Sequence, residues 1–308
     1  MLVNNIRRNP FLLAPTLVAC VLALMGIVSM LPIKALGQTA SHFLIAVIML
    51  LVFGVPCFFF FVWRGNVIGR FGVRPITADG WHLALSASAV LILLNLLFQA
   101  VFFADTYDYR VYTLYGSTLS SETKSIGSFL LTLFVFVIIP AVTQGILFRG
   151  IMLYEYRHTG PLVSILLSAF LGGLTALSFS SFPIEFLNGL ILAAVTFLTG
   201  NFLISLLSNV VWLLFAVFAE KYFIFIAREA ETSMLFFIVF GLLFLLSLLW
   251  FFRSAEYLLR ERGQAEEDIP KHMPVRKRGL ILYDVFSAPM VWGSVFCFLL
   301  FAVLHLFL

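Results

Sequence analysis

Residues 126–147 read IGSFLLTLFVFVIIPAVTQGIL, twenty-two residues without a single charged side chain. A helix of this length and apolarity can cross the hydrocarbon core of a bilayer. A barrel strand would be shorter and would alternate between apolar and polar residues. Because lipid offers no hydrogen bonds, the backbone N–H and C=O groups must bond to each other within the segment, as they do in a helix. The stretch therefore predicts a transmembrane helix.

The whole chain shares this composition. Hydrophobic residues make up 62% of its 308 residues, charged residues make up 11%, and the mean hydropathy is +1.08. A soluble domain carries about a quarter charged residues, so most of this surface must face lipid. We predict an all-α, polytopic transmembrane helical bundle of eight to nine spans. The candidate spans are residues 11–32, 42–63, 82–104, 126–147, 161–178, 184–199, 201–219, 233–252 and 285–308.

Only Thr199-Gly200-Asn201 separates the sixth candidate span from the seventh. Residues 184–219 are therefore either two full spans joined by a tight turn or a re-entrant pair, and the sequence leaves both open.

The Lys and Arg residues indicate the orientation, because cytoplasmic loops carry an excess of both. With the N-terminus inside, fourteen of the nineteen basic residues lie on the cytoplasmic side, among them Arg149, Arg157 and seven in segment 253–279. We expect an integral protein of a bacterial cytoplasmic membrane with a cytoplasmic N-terminus. The cluster Arg276-Lys277-Arg278 precedes the last span and should contact anionic lipid, so the bilayer is itself a partner.

The polar segment 105–125, predicted to lie outside, carries four tyrosines among its charges. It is either an aromatic belt with a loop or a contact surface for a membrane or extracytoplasmic protein partner. The chain has no glycine-rich phosphate loop and no basic stripe, so we expect no nucleic-acid partner. Its cysteines, Cys20, Cys57 and Cys297, lie in apolar runs without metal-ligand spacing. We expect no cofactor.

A set of ordered landmarks begins at Pro140. They are Phe148-Arg149-Gly150, Gly160-Pro161, the small-residue helix 164–173, and Gly189 followed by Thr199-Gly200. In this order and spacing they resemble the CPBP family of CAAX-protease and bacteriocin-processing (ABI) membrane proteins. The resemblance implies a CAAX-protease-like core at 126–219, preceded by N-terminal helices and an outer loop at 1–125. C-terminal helices with a cytoplasmic basic loop follow at 220–308.

The resemblance also implies where hydrolytic residues would lie. The family carries a Glu-Glu-x-x-x-Arg motif, a histidine at the end of the next helix, and a final His-x-x-x-Asn. These positions hold Gln144 and Gly145, then Ala176 (with Gly172 in place of the motif phenylalanine), then Asn209 and Leu213; only Arg149 is retained. An amide cannot act as a general base and alanine cannot bind a metal. Residues 159–271 contain no histidine, so we expect no catalytic residues and no metal site.

Three other features could still form a site. Gln144 and Asn209 would face each other across a helix interface, where two amides can pair as a structural hydrogen bond or bond elsewhere. Glu185 is a weak candidate for a rebuilt site, because a carboxylate within a span is often functional, although here it is expected near the outer mouth of its span. Glu155 and His158 are expected in a solvated cytoplasmic turn.

Three functions compete. The first is a non-catalytic CPBP-like scaffold that binds or regulates a membrane or envelope protein, a pseudoenzyme rather than an enzyme. The second is a divergent CAAX-type metalloprotease with a rebuilt site that uses Glu185. The third is a transporter or channel. The spans disfavour it, because they hold few charges and show no evident inverted repeat with broken helices.

Overall fold

The computed structural model describes residues 10–29, 38–64, 75–102, 111–114, 117–120, 125–156, 160–265, 283 and 286–307. Within them lie ten helices of some length and one hairpin. The helices are α1 (Pro10–Ser29), α2 (Gln38–Arg64), α3 (Ala78–Phe102), α4 (Ile126–Tyr156), α5 (Pro161–Gly173), α6 (Phe182–Thr199), α7 (Phe202–Phe218), α8 (Glu220–Arg228), α9 (Ala230–Ala265) and α10 (Pro289–Phe307). The hairpin joins β1 (Val111–Leu114) to β2 (Ser117–Ser120), antiparallel, with Val111 opposite Ser120.

The predicted helical membrane bundle is confirmed, since each predicted span coincides with a helix. By length and composition, α2, α3, α4, α6 and α9 can each cross a membrane. The consecutive helices α7 and α8 form a sixth crossing if they count as one bent span. In their described parts, α1, α5 and α10 are shorter apolar helices. The described residues thus provide five to six crossings by these criteria, where the sequence predicts eight to nine.

The turn between α6 and α7 is tight. Gly200 ends α6 in the left-handed region with φ 57°, which a residue without Cβ adopts at little cost. Asn201 then caps α7, its side chain accepting a hydrogen bond from the Leu203 N–H at 3.1 Å. Further in, the Thr196 hydroxyl donates to Ser205 Oγ at 2.7 Å, so the two helices pack directly against each other. After α7 the chain bends by 55° and continues as α8.

Two helices run further than the sequence predicts. Helix α4 continues from the predicted end at residue 147 to Tyr156, and α9 continues from 252 to Ala265. Arg149 is therefore not in a cytoplasmic loop: it lies within α4 and is 9% exposed. Glu155 lies in the last turn of α4 rather than in a solvated turn, whereas His158 lies outside the described residues. The sequence predicts helix ends near charged residues, but a helix continues past a charge wherever neighbours or solvent accommodate it.

Small residues set the distances between the helices of the core. A Cβ at Gly189 of α6 would lie 3.1 Å from the Cα and 3.3 Å from the carbonyl oxygen of Ala169 on α5. A Cβ at Gly173 would lie 3.2 Å from the backbone of Phe186. Because backbone atoms meet here, the approach of α5 and α6 depends on glycine rather than on a movable side chain.

We expect Gly189→Ala to lower the free energy of unfolding by about 1–2 kcal/mol, because the added methyl group overpacks a contact with backbone. The measurement is thermal unfolding of the purified chain in detergent. Gly241→Ala is the matched control, since nothing lies within 4 Å of a Cβ at Gly241 on α9; it should leave stability unchanged or raise it slightly. Equal effects of the two substitutions would contradict this view of the interface.

Candidate functional site

A small polar cavity lies where α4, α5, α6 and α7 meet. Its volume is about 30 Å³, which is enough to hold at least one water molecule. Its lining residues are Gln144, Phe148, Arg149, Ser168, Gly172, Thr175, Glu185, Asn188, Gly189, Leu192, Asn209 and Trp212. Polar groups from four helices converge on one point of an otherwise apolar domain, which makes this the candidate site.

Helix α4 contributes Gln144 and Arg149 from an irregular stretch. Residues Phe134–Ile138 and Gly145–Met152 are π-helical, and α-helical Ile139–Gln144 lies between them. Such π-helical turns are rare in proteins, and those that do occur are often found at functional sites. The stretch is held by α5, where the buried Ser168 hydroxyl donates to the Phe148 carbonyl oxygen at 2.8 Å. Arg149 is buried directly after this anchor, and its Nη1 atom has no hydrogen-bond partner.

Helix α7 contributes Asn209 and Trp212, which are 2% and 9% exposed. The indole Nε1 of Trp212 is buried without a hydrogen-bond partner. Gln144 and Asn209 both line the cavity, as the resemblance implies for their positions. Among the hydrogen bonds of the described residues, none joins their two amides directly. A pairing through a bridging water stays a prediction.

Helix α6 contributes Glu185 and Asn188 from its first two turns. Asn188 lies one helical turn after Glu185, and both line the cavity together with Arg149. The sequence placed Glu185 near the outer mouth of its span and Arg149 in a cytoplasmic loop, on opposite sides of the membrane. The structure corrects both positions, because the two residues line the same cavity. The close approach of α5 and α6 at Gly189 allows this.

Asn188 is held from behind by α3. Its amide exchanges two hydrogen bonds with Asn95: Asn95 Nδ2 donates to Asn188 Oδ1 at 2.8 Å, and Asn188 Nδ2 donates to Asn95 Oδ1 at 3.1 Å. Asn95 Nδ2 also donates to the Leu91 carbonyl oxygen at 2.7 Å. Both amides are buried. A buried amide pair with its main polar groups bonded fixes the side chains in one arrangement.

Three of the positions matched to family motifs do not line the cavity. Ala176 ends the 3₁₀ turn Leu174–Ala176, and its neighbour Thr175 lines the cavity instead. Leu213 packs into the main apolar core, and its neighbour Trp212 faces the cavity. Gly145 has no side chain, but a Cβ there would lie 3.7 Å from Arg149 Nη1 and 3.2 Å from the ring of Phe202. Gln144, Arg149, Gly172 and Asn209 are thus the matched positions that the cavity brings together.

The lining does not suit a catalytic metal ion of the kind that the resemblance implies. Zinc in proteins is bound by imidazole, thiolate and carboxylate groups, and a catalytic site needs about three of them. Here one carboxylate, Glu185, faces amides, a guanidinium and an indole. In the part of the chain that the structure describes, no three His, Cys, Asp or Glu side chains come together in a metal-binding group.

Residues 126–215, which include most of the cavity, match the family described as type II CAAX prenyl endopeptidase Rce1-like. This part of the chain is a CAAX-protease-like domain. With the apolar helices around it, the chain is an integral membrane protein. No curated protein and no solved structure matches it. Asn95, which holds the Rce1-like domain from outside, lies on α3 before the matched residues.

Sequence reasoning missed Asn95, Asn188 and Trp212. A signal was present for the first two, because an amide inside an apolar run needs a partner in lipid. Nothing in the sequence paired them, since they are 93 positions apart. Trp212 gave no signal at all, because an indole in an apolar helix is ordinarily a packing residue.

We expect Ser168→Ala to lower the free energy of unfolding by about 0.5–1.5 kcal/mol, because the Phe148 carbonyl would lose its hydrogen bond from α5 and keep only the one from the Leu153 N–H of its own helix. Ser247→Ala on α9 is the control: its hydroxyl is similarly buried but donates to Phe244 of its own helix. Thermal unfolding in detergent measures both. If Ser247→Ala lowers stability as much as Ser168→Ala, the hydrogen bond between α4 and α5 contributes no more than one within a single helix.

Proposed function

We propose that this CAAX-protease-like membrane protein is a non-catalytic scaffold that binds or regulates a membrane or envelope protein. The observation that carries the proposal is the chemistry of the cavity. Its single carboxylate, Glu185, shares the cavity with the amide of Asn188 and the guanidinium of Arg149. Gln144 and Asn209 offer amides at positions where the family carries a glutamate and a histidine.

Hydrolysis of a peptide bond needs a group that takes a proton from water and groups that stabilise the developing oxyanion. Arg149 and Trp212 supply N–H donors of the second kind. The first kind is missing from Gln144 and Asn209, because an amide has no usable basicity near neutral pH. A polar cavity with donors and without a free base favours recognition over cleavage.

The outer segment supports a protein partner. Within the described residues of 105–125, β1 and β2 pair only with each other, so each strand keeps an open edge. An open edge can accept an extended segment of another chain through backbone hydrogen bonds. With the orientation inferred from the basic residues, this hairpin would face away from the cytoplasm of a bacterium, toward envelope proteins.

A divergent peptidase is the second candidate, and one observation favours it. Glu185 lies in the same cavity as Arg149, Gln144 and Asn209, where a rebuilt general base would have to lie. In that case Glu185 would accept the proton of an attacking water, and the N–H groups of Arg149 and Trp212 would face the oxyanion.

The lack of an evident broken helix in the sequence counts against transport. The bend between α7 and α8 corrects that point. Glu220, 8% exposed, begins α8 at this bend. Transporter sites built on broken helices use corresponding breaks in two repeats. The bent pair is the one such break within the described residues, so transport remains the weakest of the three proposals.

The test is peptide cleavage by the purified full chain in nanodiscs, with prenylated and unprenylated CAAX-type peptides and an active CAAX protease as the positive control. We expect no cleavage above the level of empty nanodiscs, with or without a chelator. Cleavage that Glu185→Gln abolishes and the exposed-site variant Glu256→Gln retains would overturn the proposal in favour of the peptidase.

Partner binding is tested separately by photocrosslinking in intact cells, followed by mass spectrometry. Crosslinkers placed in 105–125 should capture a defined membrane or envelope protein, and those placed in 253–260 of α9 should not. Loss of the same partner after deletion of 105–125 would support the scaffold. Capture that is equal from both segments would contradict the outer surface as the docking site.

A further inference from the structure

Arg149 needs a counter-charge, because its side chain is buried in a membrane domain. An ionised group in this setting is stable only when a charge or several polar groups compensate it. One helical turn earlier, position 145 faces it directly: a Cβ there would lie 3.7 Å from Arg149 Nη1. A carboxylate at 145 would therefore form an i, i+4 pair with Arg149. The residue at that position is glycine, so α4 offers no carboxylate one turn before Arg149.

Glu185 on α6 is the one acidic residue among the residues that line the cavity with Arg149. It reaches the cavity because the backbones of α5 and α6 touch at Gly189 and Ala169. Asn188, one turn later on the same face of α6, lines the same cavity. The carboxylate thus has a polar neighbour on its own helix and shares the cavity with a positive charge.

Asn188 is itself fixed by Asn95 through the two reciprocal hydrogen bonds of 2.8 and 3.1 Å. Asn95 lies on α3, outside residues 126–215. The hydrogen bonds from α3 therefore end at Asn188, which lines the cavity together with Glu185 and with Arg149 of α4.

We propose that Glu185 is a relocated counter-ion for Arg149, and that Asn95 positions it through Asn188. The buried charge of the CAAX-protease-like domain is then balanced from α6, with a helix outside the domain holding the balance in place. The inference concerns the stability and geometry of the cavity and holds whether or not the domain cleaves peptides.

The first test is a double-mutant cycle on thermal unfolding of the full chain in detergent, with Arg149→Met, Glu185→Gln and the double variant. Glu185→Gln leaves the buried charge of Arg149 uncompensated and should lower the midpoint by about 5 °C or more. Arg149→Met leaves the partly buried Glu185 without a counter-charge and should also lower it. The double variant should unfold at a higher temperature than either single variant, because no charge then remains unpaired. If the double variant lowers the unfolding midpoint by the sum of the two single effects, the two charges are not coupled and the proposal is wrong.

The exposed ion pair of α9 is the matched control for this cycle. Arg260 Nη2 lies 2.6 Å from Glu256 Oε1, and their side chains are 78% and 61% exposed. Arg260→Met, Glu256→Gln and their combination should each shift the midpoint little, because water screens the pair. A comparable recovery in this cycle would show that the effect at Arg149 does not depend on burial.

The second test returns the carboxylate to α4 and guards against a single variant that fails to fold. Gly145→Glu should restore much of the unfolding temperature that Glu185→Gln loses. Phe202→Leu is added to the same chain, because a Cβ at position 145 would lie only 3.2 Å from the Phe202 ring. In the background that retains Glu185, the same changes should lower the midpoint, because two carboxylates would share one arginine. No rescue, or rescue in both backgrounds, would contradict the relocated counter-ion.

The positioning role of Asn95 is tested by repeating the Arg149–Glu185 cycle in an Asn95→Leu background. We expect the coupling between the two charges to fall, since Asn188 loses the pair that orients it. Ser88→Ala is the control on the same helix, because its buried hydroxyl donates only to Ala84 of α3 in the bonds described. Coupling that is unchanged by Asn95→Leu would reduce Asn95 to a packing role.

Discussion

The fold depends on one constraint: polar and charged groups inside a membrane domain must be satisfied by protein, since lipid offers nothing. Arg149 is the strongest case, because its guanidinium is buried in α4. Four helices bring polar groups toward it, and the cavity they form is the polar centre of the CAAX-protease-like domain. The arrangement of α3 to α7 follows from the need to place these groups together.

The same constraint determines how the helices hold each other. In lipid, association cannot rest on a hydrophobic difference between protein and solvent, so close backbone packing and hydrogen bonds between helices carry more of it. Gly189 brings α5 and α6 to backbone contact. The Thr196–Ser205 bond closes the α6–α7 hairpin, and the Ser208 hydroxyl donates to the Ala84 carbonyl oxygen of α3 at 3.1 Å. Each bond is small, and together they fix one packing.

Composition alone predicted the helical membrane bundle, because apolar runs of about twenty residues have few other structures available in lipid. Helix ends were predicted poorly: a charge such as Arg149 was read as a boundary, although its burial depends on neighbours that sequence does not place. The predicted depth of Glu185 in the membrane was wrong for the same reason. Alternating spans put it across the membrane from Arg149, whereas the shortness of α5 and the glycine contact bring the two together.

A conserved scaffold and a conserved chemistry are separable, since function resides in particular side chains and not in the fold that carries them. The resemblance implies a carboxylate at position 145, where this chain has glycine, and a side chain there would lie beside Arg149. In the proposed arrangement, the absence of that carboxylate creates a stability problem that another residue must solve. The proposed counter-ion Glu185 solves it from α6, and this accounts for a carboxylate and a guanidinium in a cavity that three amides also line.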